Sequence, residues 1–205
     1  LDGFFPELCE ISLPTVEAWA AKIGAKVNYI TKRKWPDWPM MTEKLQVYYD
    51  GAGQDWNILV DADVLIHPEA PDFLTQQSAD HITVKDAYQA HRQFKVDDVY
   101  FLRDGRDLGL SACFIAASRW CHDLWKPIPE EMSAAQVCEI ITQERKCVDE
   151  YCLSRNLARY GMKICPPVDP RVGYNLFYHL GTFGEDRERV LAEARRWHDE
   201  IWSKR

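Results

Sequence analysis

The stretch "NILVDADVLI" (residues 57–66) places two aspartates between two short apolar runs. The run "WNILV" (residues 56–60) is typical of a buried β-strand, so the aspartates follow the end of that strand. On an extended chain, residues i and i+2 point the same way, and we therefore expect Asp61 and Asp63 to present two carboxylates to one point. Two interpretations of the pair stay open: ligands of Mg²⁺ or Mn²⁺, or caps of backbone N–H groups in a solvated turn.

Outside this stretch, helical and extended patterns alternate, which predicts an α/β fold in a single domain spanning residues 1–205. A capping-box pattern at Ser133 and Gln136 indicates the start of one helix. The predicted strands are residues 25–31, 56–60, 110–118 and 162–167. The predicted helices run from near Pro14 to Gly24, from Met41 to Tyr48, over 134–146, over 149–161 and onward from a first turn that holds Glu185 and Asp186. The segments 32–39, 77–109 (with a turn at 103–107) and 173–184 are predicted to be irregular.

Composition and charge restrict the class of protein. Of the 205 residues, 46% are hydrophobic, which is enough for a packed core, and the net charge of −7 argues against a general nucleic-acid-binding protein. The seven cysteines are odd in number and include no C-x-x-C spacing, so we expect reduced thiols rather than a disulfide framework or a zinc ribbon. Because the sequence has no apolar run of about 18 residues and no signal peptide, we expect a cytoplasmic location without a transmembrane anchor in this chain.

A predicted helix carrying the Lys44–Leu45 pair precedes the aspartates in "PMMTEKLQVYYDGAGQDWNILVDADVLIHPEAPDF" (residues 39–73), and a proline-containing turn follows them. This order resembles the central block of GT-A glycosyltransferases of the glycogenin and galactosyltransferase-like type. Later segments are similar to the same family, so the resemblance spans most of residues 8–185. It implies the GT-A fold, a mixed and mostly parallel central sheet flanked by helices, with the family's first strand expected to lie outside this chain.

The resemblance also implies a set of site residues. Asp61, Asp63 and His179, the last within "YHLGTFG", would bind a divalent metal, Mn²⁺ or Mg²⁺. Lys44 would reach the phosphates or the sugar of a nucleotide-diphosphate-sugar donor, although its helical position alone is equally typical of a solvent-facing lysine. The residues expected to contact the donor are Thr31, Lys44, Asp61, Ala62, Asp63, Ser111, Ala112, Cys113 and Gly181.

Four further residues each carry two interpretations. Asp149 and Glu150 are the candidate catalytic acids, of which one would face the sugar or stabilise an oxocarbenium-like transition state. They also lie at a predicted helix start, where the helix dipole favours acids without any catalytic role. Trp35 and Trp38 would either stack on a base or sugar ring or cover the edge of the core.

The function that these expectations favour is transfer of a sugar from a nucleotide-diphosphate donor, expected to be a UDP-sugar, to a hydroxyl of a carbohydrate or protein-glycan acceptor. The resemblance implies that configuration at the sugar is retained. One alternative is a non-catalytic domain that binds sugar nucleotides, because Ser111 and Cys113 stand where the family has Asn and Gly. The other is a phosphatase of the haloacid-dehalogenase type, in which Asp61 would be the nucleophile and Asp63 a general acid.

Overall fold

The computed structural model describes residues 5–88, 109–141, 147–165, 176–183 and 186–202. The chain divides into two compact units. One unit comprises Leu1–Tyr29, Val60–Gln77 and Pro167–Arg205, and the other comprises Ile30–Leu59 and Ser78–Pro166. The single domain expected over residues 1–205 stays a prediction. Among the described residues, no helix combines the length and the apolar character needed to cross a membrane.

The described elements alternate as the sequence predicts for an α/β protein. The α-helices are α1 (Pro6–Lys22), α2 (Val47–Asp50), α3 (Ala134–Ile140), α4 (Val148–Arg159) and α5 (Arg187–Ile201). The strands are β1 (Trp56–Val60), β2 (Val64–Ile66), β3 (His81–Val84), β4 (Ala87–Tyr88), β5 (Gly109–Leu110), β6 (Phe114–Ser118), β7 (Lys163–Cys165) and β8 (Phe177–His179). Short 3₁₀ helices cover Met40–Gln46, Leu74–Gln76, Arg119–Trp125, Ile128–Glu130 and Leu180–Phe183.

The first unit is built on an antiparallel ladder between β2 and β8, in which Val64 faces His179 and Ile66 faces Phe177. Helix α1 packs on β2 and on α5, so that the apolar faces of both helices are buried within the unit. This core consists of Leu8, Leu65, Leu180, Val190, Ala194 and Trp197. Trp19 extends it by packing its indole against the rings of Phe73 and Phe177.

The second unit contains a four-stranded sheet in the order β1-β6-β3-β7. Strand β3 pairs antiparallel with β6 and parallel with β7, so the sheet is mixed, and the β3–β6 pairing departs from the mostly parallel arrangement that was expected. β4 and β5 form a separate antiparallel pair. The core of this unit includes Leu45, Leu59, Ile82, Ile115, Trp125, Tyr151 and Leu153.

Several predicted elements are confirmed by their local chemistry. Ser133 and Gln136 form both hydrogen bonds of a capping box at the start of α3, although this helix ends at Ile140 rather than at 146. Asp186 caps the N-terminus of α5 by accepting a hydrogen bond from the backbone N–H of Arg189. The predicted turn at 103–107, residues 142–146 of the predicted helix, and Glu185 lie outside the described residues.

Helix α1 begins at Pro6, so the prediction that it starts near Pro14 is wrong. Pro6 occupies the first helical turn, where the missing N–H of proline costs least. Proline is normally unfavourable inside a helix, and this is why Pro14 was interpreted as a start. The buried face of α1 nevertheless runs past it, through Leu8 and Trp19, and burial of that face outweighs the local preference.

The predicted strand at 25–31 is absent: this segment has no regular secondary structure and is mostly exposed. Conversely, β3 lies within 77–109 and β8 within 173–184, two segments that were predicted to be irregular. Three or four residues are too few to show a reliable alternation of apolar and polar side chains. The predicted strand at 110–118 is divided, since β5 ends at Leu110 and β6 begins only at Phe114.

Glu43 organises the proline-rich segment 32–39. Its carboxylate, only 1% exposed, accepts hydrogen bonds from the backbone N–H groups of Lys34 and Trp35 and pairs with the guanidinium of Arg33 at 2.9 Å. The same Arg33 donates to the backbone carbonyl of Trp38. The segment therefore holds Trp38 in the core and Trp35 at its edge, which agrees with the second interpretation of these tryptophans.

We predict that Glu43→Ala lowers the free energy of unfolding by about 3 kcal/mol, because hydrogen bonds to a charged group contribute about 1.5–3 kcal/mol each and several are lost together. Urea denaturation followed by circular dichroism measures the change. Glu139→Ala, which removes an exposed glutamate of α3, is the control and should change stability by less than about 0.5 kcal/mol. Equal stability of the two variants would contradict this role of Glu43.

Candidate functional site

Asp61 and Asp63 lie in a tight turn and not on an extended strand. The backbone N–H of Val64 donates to the carbonyl of Asp61 at 3.1 Å, which closes the turn between β1 and β2. The expectation that i and i+2 positions of a strand align the two carboxylates is therefore wrong in its geometry. The turn nevertheless brings the carboxylates together, with one oxygen of each within 4.8 Å of the other.

The third expected ligand joins the pair through the β2–β8 ladder. His179 is the partner of Val64 in that ladder, so its imidazole lies beside Asp63, with Nε2 3.3 Å from Oδ2. One potential ligand atom from each of Asp61, Asp63 and His179 lies within 4.8 Å of the other two. All three side chains are partly accessible, which leaves a cation a route to them.

Three separate donors hold the backbone of this turn. Besides the bond that closes the turn, the N–H of Leu180 donates to the carbonyl of Asp63 at 2.9 Å. The buried hydroxyl of Ser12, on α1, donates to the carbonyl of Ala62 at 2.5 Å. The carbonyl of Ala62 makes this bond to α1, and the expected contact of Ala62 with a sugar donor stays a prediction.

Gly181 keeps the space beside the cluster open. A Cβ atom at this position would lie 2.6 Å from Nε2 of His179 and 3.2 Å from Oδ2 of Asp63. Any side chain larger than hydrogen would therefore displace the imidazole or enter the space between the ligand atoms. The structure thus places Gly181 beside the cluster and gives it a steric role there, while its expected contact with a sugar donor stays a prediction.

The donor set fits a divalent cation. Two carboxylates supply the hard oxygen ligands that Mg²⁺ and Mn²⁺ prefer, and an imidazole nitrogen shifts the preference toward transition metals such as Mn²⁺. Three protein ligands leave positions for water or for substrate oxygens in an octahedral shell. Asp61, Asp63 and His179 are thus the residues that would hold the metal.

Cys9 lies close enough to this cluster to sense its charge. Burial raises the pKa of the Cys9 thiol, and the negative charge of Asp63 raises that pKa further. Both effects favour the neutral thiol over the thiolate that binds metals. No pattern in the sequence connects Cys9 with Asp63, because the packing of α1 is what brings the two residues near each other.

In the second unit, Lys44 and Glu150 both bond Ala112, and Asp149 pairs with Lys44. The ammonium of Lys44 pairs with the carboxylate of Asp149 at 2.7 Å and donates to the carbonyl of Ala112 at 3.2 Å. The N–H of Ala112 donates to the carboxylate of Glu150 at 3.3 Å. Asp149 is 4% exposed, so the lysine compensates a buried charge.

The residues flanking Ala112 form the turn between β5 and β6. Ser111 donates from its backbone N–H to the carbonyl of Asp86, and its hydroxyl lies 3.4 Å from the sulfur of Cys113. Lys44, Asp149, Glu150 and this turn were all predicted as donor-binding or catalytic residues, and the structure brings them together. Thr31 is exposed in the irregular segment that was predicted to be a strand, and its contact with a sugar donor stays a prediction.

Two residues that support the metal-ligand cluster were missed by the sequence analysis. Ser12 bonds Ala62, and Thr15 accepts a hydrogen bond from the backbone N–H of Ile66 at 3.0 Å. Both are buried polar residues on α1. A small polar residue at every third position of an otherwise apolar helix face is a usable signal for such contacts, but the misplaced start at Pro14 excluded Ser12 from the helix.

Comparison with known proteins identifies no relative: no protein-family model, no curated protein and no solved structure matches the chain.

We predict that Gly181→Ala weakens Mn²⁺ binding about tenfold or more, because the added methyl group must displace the imidazole of His179. Isothermal titration of the metal-free protein with Mn²⁺ measures the affinity. His179→Ala should cause a comparable loss, whereas His67→Ala, which removes a histidine outside the cluster, should bind Mn²⁺ as the wild type does. Unchanged binding by Gly181→Ala would show that the imidazole does not ligate the metal.

We predict that Lys44→Met destabilises the protein by about 3 kcal/mol, because it leaves the buried carboxylate of Asp149 without its partner. The double variant Lys44→Met/Asp149→Leu removes both charges and should recover a large part of that loss. Urea denaturation of both variants measures the coupling. If the loss of stability in the double variant equalled the sum of the losses in Lys44→Met and Asp149→Leu, the two residues would not act as a pair.

Proposed function

We propose that this protein is a metal-dependent glycosyltransferase that moves a sugar from a nucleotide-diphosphate donor to an acceptor hydroxyl. The observation that carries the proposal is the convergence of Asp61, Asp63 and His179, three residues selected from the order of motifs along the chain. The resemblance of that order to GT-A glycosyltransferases adds the reaction class. It also adds retention of configuration and a UDP-sugar donor as parts of the proposal.

Within this proposal, the two carboxylates and the imidazole of the cluster hold the cation, and Gly181 preserves the space beside them. The bound cation would offset the negative charge that develops on the leaving diphosphate. An acceptor hydroxyl from a carbohydrate or a protein-linked glycan attacks the anomeric carbon of the donor.

In the second unit, the turn at Ser111–Cys113 was expected to contact the sugar donor, and that contact stays a separate prediction. Ala112 is fixed from both sides, by Lys44 at its carbonyl and by Glu150 at its N–H, so the turn has a defined conformation before any ligand binds. Defined geometry lowers the ordering cost of binding. Lys44, held by Asp149, bonds the carbonyl of Ala112 in this turn. The first role that we assign to these residues is therefore to hold the turn in position.

Donor titrations test the proposal. The metal-free protein is titrated with UDP and with UDP-sugars in the presence and absence of Mn²⁺. Slow hydrolysis of the donor is measured as the release of UDP. Binding and hydrolysis that both require Mn²⁺ support a transferase. Metal-dependent binding without release supports the non-catalytic sugar-nucleotide-binding alternative. Cleavage of a phosphate monoester without any effect of nucleotide supports the phosphatase alternative.

We predict that Asp63→Asn reduces Mn²⁺-dependent binding of UDP by at least about tenfold, because it removes one of the charged ligands and leaves the size of the side chain unchanged. Asp72→Asn is the matched control: Asp72 belongs to the same unit, and its side chain accepts the N–H of Leu74, a bond that asparagine can keep. The control should bind as the wild type does. Full binding by Asp63→Asn would remove this residue from the proposed site.

A further inference from the structure

The turn that carries the candidate metal ligands is fixed at every one of its three carbonyl groups. The carbonyl of Asp61 is bonded by the turn itself, through Val64, and that of Asp63 by Leu180 at the end of β8. The carbonyl of Ala62 is bonded by the hydroxyl of Ser12. Only this last bond comes from a side chain, so it can be removed without altering the backbone.

The geometry points to Ser12 as the positioning residue of the metal-ligand cluster, which it controls through the carbonyl of Ala62. This inference rests on the metal site of the proposed function, and it adds a residue that the motifs around the two aspartates do not contain. Ser12 is not one of the three candidate ligands. It acts on the residue between the two ligands, whose rotation would move both carboxylates at once.

The contacts of Ser12 support this role over a purely structural one. Its hydroxyl has one hydrogen and two nearby acceptors: the carbonyl of Ala62 at 2.5 Å, and the carbonyl of Leu8 in the preceding turn of α1 at 3.1 Å. A buried serine in a helix commonly donates to the carbonyl four residues earlier. Here the shorter distance is to Ala62, so the hydroxyl is directed out of its own helix and toward the turn.

Thr15 fixes the same helix against the next part of the chain. Its hydroxyl donates to the carbonyl of Ser12 at 2.7 Å and accepts the N–H of Ile66 at 3.0 Å. Ser12 is 0% exposed and Thr15 is 1% exposed, so no water competes for these bonds. Hydrogen bonds therefore fix the positions of both the turn and β2 relative to α1, and they hold Ser12 beside the turn.

Loss of the Ser12 hydroxyl leaves the carbonyl of Ala62 without this partner. The peptide plane between Ala62 and Asp63 is then free to rotate toward another donor. Such a rotation changes the separation of the carboxylates of Asp61 and Asp63, and hence the coordination shell of a bound cation. The expected effect is on metal affinity and on metal geometry together, which is the effect of a residue that orients ligands.

Mn²⁺ binding by the full chain tests the inference, with electron paramagnetic resonance reporting free Mn²⁺ and the spectrum of the bound ion. Ser12→Ala should weaken Mn²⁺ binding about tenfold and alter the bound spectrum. Ser12→Thr keeps a hydroxyl at the same position and should restore both. Wild-type affinity and an unchanged spectrum in Ser12→Ala would overturn the inference.

Ser154→Ala provides the matched control for simple destabilisation. Ser154 is also a buried serine in a helix, and its hydroxyl accepts a hydrogen bond from the backbone N–H of Leu110. Both residues belong to the second unit, whereas Ser12 belongs to the first. This variant should lose stability to a similar degree while it keeps wild-type Mn²⁺ affinity. An equal loss of affinity in Ser154→Ala and Ser12→Ala would assign the effect to stability and overturn the positioning role. This comparison decides the question even if the threonine variant does not fold.

The inference and the proposed function fail in different ways. If the wild-type chain binds Mn²⁺ and Ser12→Ala weakens that binding, but no nucleotide sugar is bound or cleaved, then the transferase proposal is wrong and the role of Ser12 stands. If UDP-sugar cleavage requires Mn²⁺ but Ser12→Ala leaves Mn²⁺ binding unchanged, the inference alone is wrong. A wild-type chain that binds no Mn²⁺ overturns both.

Discussion

Antiparallel pairing between β2 and β8 brings the aspartate turn together with His179, from opposite halves of the chain. The register decides which side chains meet. With Val64 opposite His179, the imidazole lies beside Asp63, the residue just before β2. A shift of one residue would turn the side chain of His179 to the other face of the strand and separate the imidazole from the carboxylates. The candidate metal centre therefore depends on three pairs of residues in a ladder.

So short a ladder is not stable by itself, since two isolated strands are marginal in water. Helices α1 and α5 supply the missing stability within the first unit, through a core in which Leu8 and Leu65 are essentially fully buried. The polar residues of α1 then add what apolar packing cannot, a fixed register. Hydrophobic contacts allow small sliding movements, whereas the bonds from Ser12 to Ala62 and from Ile66 to Thr15 weaken once donor and acceptor move apart or out of line. Stability and precise placement thus come from different atoms of one helix.

The sequence predicted those elements whose signals are local. The capping box at Ser133 depends on residues three positions apart, and it was found. The first turn of the last helix was expected to hold Glu185 and Asp186, and Asp186 is the N-cap of α5. Strands β3 and β8 were missed because their partners lie far away in the chain and their own three or four residues carry little pattern. Pro14 misled for the opposite reason: its local signal is strong, but tertiary burial of α1 overrides it.

The candidate site shows the same division. Membership of the cluster was predicted from the order of motifs, yet the geometry expected for Asp61 and Asp63 was that of a strand, and the observed one is that of a turn. Periodicity describes a chain that continues in one direction, and it cannot indicate where the chain reverses. The contacts of Ser12 and Thr15 depend on how α1 packs, so no pattern around the aspartates could have revealed them.

The two groups of predicted site residues differ in how much of their arrangement folding alone explains. Lys44 and Asp149 neutralise each other in a buried place and, with Glu150, fix both polar groups of Ala112. A turn between two strands needs such contacts in a protein of any function. Asp61, Asp63 and His179 are different, because they gather two partly exposed carboxylates within 4.8 Å, where like charges repel each other. A bound cation would remove that repulsion, which is why the metal centre, rather than the buried ion pair, carries the functional argument.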